Sequence, residues 1–244
     1  MSHNTLIVSN WKMNFNFIRA KNLVTSLKKI KYDKAKITNV ICPQFLLLPT
    51  LNEVLFQSEF ILGAQDIHYE LNGAYTGDTS IELVKDYNCK YSIIGHSERR
   101  ALHNESNRMI KKKVKLCLDN VIIPILCVGE SIEQRKKKIY KDFILKQLTE
   151  CIQNIKCSEL VIAYEPIWSI GTGIIPQVED IFEISELIFS FLKKEKIDKF
   201  QILYGGSVNS SNFKEIYSID KINGALIGGA SLKIDEMQKI LTSC

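Results

Sequence analysis

Short runs of apolar residues alternate with longer segments of helical period along the whole chain. A buried parallel strand has apolar side chains on both faces, so each run is predicted to be a β-strand. Eight strands are predicted, at residues 5–9, 37–42, 60–64, 91–95, 121–127, 160–164, 201–204 and 224–227. Eight strand-then-helix units in 244 residues favour a closed parallel barrel over an open sheet, since closure leaves no exposed edge.

The segments between the predicted strands carry apolar residues three or four positions apart, the spacing of a helix with one buried face. Each is predicted to pack outside the barrel, and residues 1–244 are predicted to form one domain. The two clearest apolar stripes contain Ile139, Phe143, Ile144, Leu148 and Ile152 in one segment and Ile181, Ile184, Ile188, Phe189 and Leu192 in the next.

Composition narrows the possible classes of protein. With 45% hydrophobic residues the chain can bury one sizeable core, yet no apolar stretch is long enough to cross a bilayer. The N-terminus lacks the basic flank of a secretory signal. The seven cysteines include no Cys-x-x-Cys pair, which argues against a disulfide framework and a structural zinc site. We therefore expect a cytoplasmic protein with reduced thiols, no metal and no membrane contact.

The formal charge of +5 comes mostly from lysines in short runs, among them residues 111–113 and 136–138. These runs are predicted to lie on solvated helix faces. No aromatic residues interleave with them to form a surface on which bases could stack, so a nucleic-acid partner is not expected.

Polar residues and glycines follow the predicted strands. Asn10 and Lys12 follow the first strand, His96 the fourth and Glu165 the sixth, where Pro166 restricts the backbone. Glycine turns follow the last two strands at residues 205–206 and 228–229. The carboxyl ends of the strands of a parallel barrel meet at one mouth, where active sites of this architecture lie. The sequence therefore predicts a carboxylate, an imidazole and an ammonium in one cavity.

Simpler interpretations exist for several of these residues. Lys12 could be a solvated ammonium, and Glu98 with Arg99 could form a surface ion pair that contributes little. Cys127 is predicted to be a packed thiol rather than a nucleophile, because no histidine stands near it in the sequence.

Eight stretches of the chain resemble the triosephosphate isomerase family, in the family's order and over nearly the whole length. They are residues 9–14, 73–77, 94–100, 126–130, 163–168, 171–173, 204–207 and 228–230. The resemblance implies a single (β/α)8 TIM barrel. It also implies an aldose–ketose isomerase of glycolysis and gluconeogenesis that interconverts dihydroxyacetone phosphate and glyceraldehyde 3-phosphate without a cofactor.

The resemblance implies a role for each residue at the mouth. Glu165 would move a proton between two neighbouring carbons through an enediolate, and His96 would hydrogen-bond the substrate oxygens as charge builds on them. Lys12 would place a positive charge near the phosphate and the oxyanion. Asn10 would add a polar contact to the substrate, and Glu98 would orient Lys12.

Phosphate binding is expected from backbone N–H groups, because glycine turns that lead into a helix expose them to an anion. The residues implied are Ser207, Gly228 and Gly229, with Gly171 adding an N–H from a loop that closes over the substrate. Lys12 and Asn10 would contact the substrate from the opposite side.

A homodimer is also implied by the resemblance. The loop at residues 73–79 would reach into the neighbouring subunit, with Thr76 at its tip near the partner's Asn10 and Lys12. An isolated monomer is therefore expected to be a poor catalyst.

This chain departs from the family pattern at three places, one of which, Tyr75 in place of a common phenylalanine, is expected to be benign. Residues 174–176 are apolar where a lysine and a threonine are common, which predicts a stiffer loop hinge. Asp66 stands where the family usually has an amide, which adds a negative charge near the subunit contact. Two other functions stay open at this point: a different sugar-phosphate isomerase of the same architecture, or a catalytically silent barrel that binds a phosphometabolite.

Overall fold

A computed structural model of the chain describes residues 4–157, 159–170 and 174–243. Within them, eight parallel strands form a closed barrel in sequence order, and the first strand pairs with both the second and the last. This confirms the predicted closed barrel. The strands are β1 (Thr5–Asn10), β2 (Ile37–Cys42), β3 (Phe60–Ala64), β4 (Tyr91–Ile94), β5 (Ile123–Val128), β6 (Leu160–Tyr164), β7 (Phe200–Tyr204) and β8 (Gly224–Ile227).

Seven of the eight predicted strands begin and end within one residue of the observed ones. The prediction for the fifth was wrong at its start, because β5 begins at Ile123 rather than at residue 121. Val121 has a φ of +60° and is 87% exposed, and its amide donates to the carbonyl of Leu118 in a turn. A left-handed backbone is incompatible with an extended strand, so this apolar residue belongs to the turn before it.

Helices cover the outside of the barrel. The α-helices in the described residues are α1 (Phe17–Leu27), α2 (Leu48–Val54), α3 (Ile81–Asp86), α4 (Ser97–Leu102), α5 (Asn107–Asp119), α6 (Ile132–Lys136), α7 (Tyr140–Ile152), α8 (Val178–Lys194), α9 (Phe213–Tyr217) and α10 (Ile234–Leu241). The predicted stripe of α8 is confirmed, with Ile181, Ile184, Ile188 and Leu192 buried. Ile139 was wrongly placed on the buried stripe of α7: it precedes the helix and is exposed.

The core has two layers that follow from the period of two along each strand. On β1, Leu6 and Val8 belong to a cluster inside the barrel, whereas Ile7 packs in the larger cluster that includes the helices. Side chains pointing into the barrel thus continue at its carboxyl end into the mouth. None of the helices in the described part of the chain is both long and apolar enough to cross a membrane.

Closure of the barrel depends on Gly224, the first residue of β8. Its φ is +150°, and a Cβ added there would lie 1.9 Å from the carbonyl oxygen of Leu6 on β1. Only glycine allows the last strand to approach the first this closely. The seam between β1 and β8 is therefore fixed by the absence of a side chain.

The prediction that residues 111–113 lie on a solvated face was wrong for Lys113. This residue is 2% exposed and shares one face of α5 with Ile110, Val114 and Cys117. Its ammonium lies 2.8 Å from Asp66 and 2.5 Å from Glu105. Helical position thus decided its burial, and two carboxylates compensate its charge, as a buried cation requires.

A buried charge cluster of Asp66, Arg99, Glu105 and Lys113 results. Nε of Arg99 lies 2.8 Å from Asp66 and 2.6 Å from Glu105. Burial raises the pKa of Asp66 to about 6, more than the two cations lower it, and Glu105 raises it further. Burial also raises the pKa of Glu105, but Lys113 and Arg99 lower it more, so its net shift is downward.

The raised pKa of Asp66 predicts a pH-dependent stability. The folded protein binds the proton of the Asp66 carboxyl more tightly than the unfolded chain does. Proton binding at Asp66 therefore contributes fully to the free energy of unfolding below about pH 3.8, the ordinary pKa, and this contribution is lost as pH rises through about 6. The variant Asp66→Asn should avoid that loss. Relative to the parent, its free energy of unfolding should rise by up to about 3 kcal/mol between about pH 4 and about pH 7.

Urea unfolding at a series of pH values measures this difference. Asp86→Asn, at an exposed position of α3, is the control and should show no such trend. A difference between Asp66→Asn and the parent that stays constant with pH would contradict the raised pKa.

Candidate active site

A cavity of about 390 Å³ opens at the carboxyl ends of the strands. The residues predicted from the sequence to meet there do line it: Asn10, Lys12, His96, Glu165, Ser207, Gly228 and Gly229. Strands β1, β4, β6, β7 and β8 therefore all deliver side chains or turns to one place. Gly171 lies outside the described residues, as does the rest of the 171–173 stretch.

Glu165 follows β6 directly and is 1% exposed. Its Oε2 accepts a hydrogen bond of 3.0 Å from the amide of Ser97, at the start of α4. Oε1 lies 3.0 Å from Nε2 of His96, but among the described residues no donor is aligned to hydrogen-bond it. One oxygen of a buried carboxylate thus keeps its capacity to accept a proton.

Opposing influences set the pKa of Glu165. Burial raises it, whereas His96, the Ser97 amide and Lys12 lower it, and the net direction is downward. The carboxyl is therefore ionised near neutral pH, which is the state required of a base.

His96 connects β4 to α4 and caps that helix with its ring. Nδ1 accepts a hydrogen bond of 3.2 Å from the amide of Glu98, so we assign the ring proton to Nε2, the nitrogen that faces Glu165. Burial lowers the pKa of His96, but the charge and proximity of Glu165 raise it more, so the net direction is upward. The upward shift therefore depends on the carboxylate staying in this position.

Two glycines make room for Glu165. A Cβ on Gly205 would lie 2.9 Å from Cγ of Glu165, and one on Gly129 would lie 1.7 Å from its carbonyl oxygen. Any other residue at either position would displace the carboxylate or its backbone. The glycines after β5 and β7 thus fix the location of the acidic group between them.

Lys12 lines the same cavity. Its ammonium contacts Oε1 of Glu98 at 2.6 Å, and its amide donates to Oδ1 of Asn10 at 3.0 Å. Its side chain is 28% exposed, so the ammonium is held rather than freely solvated. The alternative of a Glu98–Arg99 surface pair was wrong, because Arg99 pairs with Asp66 and Glu105.

The glycine end of the cavity contains open space. A Cβ on Gly229 would meet no atom within 4 Å, and one on Gly228 would meet only Cε of Lys12, at 3.6 Å. A short 3-10 helix spans Gly229–Leu232, and the first N–H groups of any helix have no acceptor within it. Ser207 differs, since its amide donates to Oγ of Ser169 at 3.3 Å.

Sequence reasoning assigned no role to three residues near the site. Ser97 provides an amide to Glu165, and Gln65 donates to the backbone of Lys12. Glu130 is fully buried and accepts from Tyr164 at 3.1 Å and Trp168 at 3.0 Å. Burial raises the pKa of Glu130. The position of Glu130, one residue beyond Gly129 at the end of an apolar strand, could have indicated from the sequence that it lies near the mouth of the barrel.

Cys127 is buried, as predicted for a packed thiol. Burial, and then the charge of Glu165, raise its pKa well above the ordinary value. The group is therefore a neutral thiol rather than a thiolate nucleophile.

The loop that contains Thr76 projects from the chain. Residues 70–78 are all exposed, and the loop is closed at its base by a hydrogen bond of 2.8 Å from the amide of His68 to the carbonyl of Thr79. The ring centroids of His68 and Tyr75 also lie 3.9 Å apart. The loop therefore has an ordered base and an uncovered tip.

Comparison with known proteins agrees with this geometry. The family model for triosephosphate isomerase matches residues 5–244. The chain is 41% identical to a triosephosphate isomerase of Dictyoglomus turgidum, with 98% of each chain covered. It is 38% identical to one of Francisella tularensis subsp. holarctica, covering 97% of this chain and 95% of that protein. A match of this length, together with a closed barrel whose mouth gathers the expected residues, means that the chain belongs to the triosephosphate isomerase family.

Proposed function

We propose that this protein is an isomerase that interconverts dihydroxyacetone phosphate and D-glyceraldehyde 3-phosphate. One observation carries the proposal: a buried carboxylate and an imidazole lie in the wall of one cavity, with Oε1 of Glu165 3.0 Å from Nε2 of His96. A base and a hydrogen-bond donor at this separation suit proton transfer next to a carbonyl group.

The proposed reaction moves one proton between two carbons and one between two oxygens. Oε1 of Glu165 takes a proton from the carbon beside the substrate carbonyl, and the electron pair of that C–H bond passes to the carbonyl oxygen, giving an enediolate. The hydroxyl on the deprotonated carbon then passes its proton to the former carbonyl oxygen, and the same carboxyl returns its proton to the former carbonyl carbon. The deprotonated carbon thereby becomes the new carbonyl, and the product has the composition of the substrate. The step consumes no oxidant, reductant or second substrate.

Two groups stabilise the charge that develops on oxygen. Nε2 of His96 carries a proton toward the cavity, and the ammonium of Lys12 lies on the same cavity. Donors already fixed before the reaction cost no reorganisation when charge appears, which is why such groups lower a barrier strongly. Glu98 keeps the ammonium of Lys12 in place, and the side chain of Asn10 accepts a hydrogen bond from the backbone amide of Lys12.

The phosphate is proposed to lie at the glycine end. Gly228 and Gly229 leave space there, and the N-terminus of the short helix Gly229–Leu232 presents amides to an anion. Ser207 would donate its backbone amide to the phosphate after that amide is released from Oγ of Ser169. Gly171 would add an N–H from the loop after β6. Lys12, whose Cε would lie 3.6 Å from a Cβ on Gly228, would neutralise phosphate charge from beside this end.

An assay that couples dihydroxyacetone phosphate production from glyceraldehyde 3-phosphate to NADH oxidation tests the activity. Turnover by the purified parent is expected. Phosphate binding without turnover would instead support the catalytically silent barrel, and turnover of a different sugar phosphate would support the other isomerase.

We also propose that the active form is a homodimer. A second cavity of about 500 Å³ adjoins the first and is lined by Asn10, Lys12 and Glu98 together with Met13 and Leu102. Met13 is 87% exposed and Leu102 75% exposed, an unusual degree of exposure for apolar side chains beside a polar site. We propose that the loop at residues 73–79 of a partner subunit, with Thr76 at its tip, covers this cavity.

Light scattering and activity measured over a dilution series test the dimer. Specific activity is expected to fall as dimers dissociate, because Lys12 and Asn10 lose their cover. A monomer with full specific activity would contradict the role given to the loop.

The six cysteines of the described residues are unpaired, which supports a reducing compartment and hence a cytoplasmic location.

A further inference from the structure

The backbone of Lys12 adopts a conformation that ordinary residues avoid. Its φ is +49°, in the left-handed region. A non-glycine residue in this region costs free energy and persists only where surrounding contacts hold it. The position of the ammonium therefore depends on whatever fixes the two peptide groups of Lys12.

Both sides of that backbone are hydrogen-bonded. The amide donates to Oδ1 of Asn10 at 3.0 Å, and the carbonyl accepts from Nε2 of Gln65 at 2.9 Å. Gln65 follows β3, and the same Nε2 donates a second bond of 2.9 Å to the carbonyl of Cys42, the last residue of β2. One amide group thus ties the turn after β1 to the ends of the next two strands.

Gln65 is itself held through its neighbour. The carboxylate of Asp66 lies 2.8 Å from Nε of Arg99 and 2.8 Å from Nζ of Lys113. Arg99 follows Glu98 on α4, and Glu98 holds the ammonium of Lys12 at 2.6 Å. The carbonyl and the ammonium of Lys12 are therefore both linked to the buried charge cluster. The carbonyl is linked through Gln65 and its neighbour Asp66, and the ammonium through Glu98 and its neighbour Arg99.

We propose that Gln65 is a positioning residue for substrate binding, which it serves by fixing the carbonyl of Lys12 and hence the path of its side chain. Gln65 lines the adjoining cavity and not the one that contains Glu165, so it acts through Lys12 and does not touch the reacting atoms. The inference rests on the function proposed above.

The variant Gln65→Met tests the proposal, because methionine has nearly the same length and no N–H. It leaves the carbonyls of Lys12 and Cys42 without this donor, and the turn can then leave the left-handed conformation. We expect KM for glyceraldehyde 3-phosphate to rise roughly 5- to 20-fold, with a smaller change in kcat, because a displaced ammonium weakens binding while Glu165 and His96 stay in place.

The chain offers a matched control in Gln44. Its Nε2 also donates to two carbonyls of the connection between β1 and α1, those of Asn14 at 3.0 Å and Phe15 at 3.3 Å, but not to that of Lys12. Gln44→Met should lower the melting temperature about as much as Gln65→Met while leaving KM close to that of the parent. Equal KM increases in the two variants would show that the turn as a whole matters, which overturns the proposal.

Inorganic phosphate provides a readout independent of turnover. Calorimetric titration should show weaker phosphate binding to Gln65→Met than to the parent, and unchanged binding to Gln44→Met. Unchanged phosphate affinity and KM in a folded Gln65→Met protein would overturn the positioning role. Absence of isomerase activity in the parent would instead refute the proposed function, so the two failures are distinguishable.

Discussion

Replacement of Glu165 by glutamine is expected to lower kcat roughly 100- to 10,000-fold, the usual contribution of a positioned general base. The amide has the size of the carboxyl, and its oxygen can still accept the hydrogen bond from Ser97, so the fold and KM should change little. What the variant loses is the basic carboxylate oxygen Oε1, which lies beside His96 in the cavity wall. The coupled assay, with circular dichroism as a check on folding, measures this loss.

Glu159 is the matched control, because it precedes the strand that Glu165 follows and pairs with Lys199 at the opposite end of the barrel. Glu159→Gln should retain parental turnover. Near-parental turnover by Glu165→Gln would remove the carboxylate from its proposed role. NMR titration of Glu165→Gln adds an independent observation: the pKa of His96 should fall, since the Glu165 carboxylate is the main group that raises it.

Replacement of Lys12 by methionine is expected to lower kcat/KM roughly 100- to 1,000-fold, comparable to loss of one preorganised donor to an oxyanion. The variant keeps most of the apolar stem and loses the charge that faces the cavity. It also leaves the carboxylate of Glu98 without its partner, next to a site proposed to bind an anion. Both effects act in the same direction, so KM should rise and kcat should fall.

A double variant separates these effects. Lys12→Met combined with Glu98→Gln removes the unpaired negative charge and should recover a part, not all, of the lost kcat/KM. Lys34→Met, which breaks an exposed pair with Glu59, is the control and should behave as the parent. Parental kcat/KM in Lys12→Met would mean that the ammonium contributes neither to phosphate binding nor to oxyanion stabilisation.

The fold could be predicted from the sequence because buried parallel strands are almost wholly apolar, and the helices between them repeat with a different period. The errors occurred where backbone or burial was set by a neighbour. Val121 is apolar but occupies a left-handed turn, and Lys113 is charged but occupies the inner face of α5 opposite Asp66 and Glu105. Neither context is visible in the residue itself.

The candidate site was predictable as a set of residue types at strand ends, and the structure brings Asn10, Lys12, His96 and Glu165 around one cavity. The roles of these residues stay predictions until the variants are measured. Gln65 could not have been found in this way. It acts through its side-chain amide on the backbone carbonyls of other segments, and such contacts leave no pattern of charge, period or spacing in the sequence.

The seam at Gly224 has a consequence for biosynthesis. Lys12 leaves the ribosome more than two hundred residues before Gly228 and Gly229, yet these residues line the same cavity on neighbouring strands. A nascent chain therefore cannot complete its catalytic pocket cotranslationally until the final strand has emerged and docked against the first. Recovery of activity during refolding should accordingly coincide with docking of this last strand, and no earlier intermediate should turn over substrate.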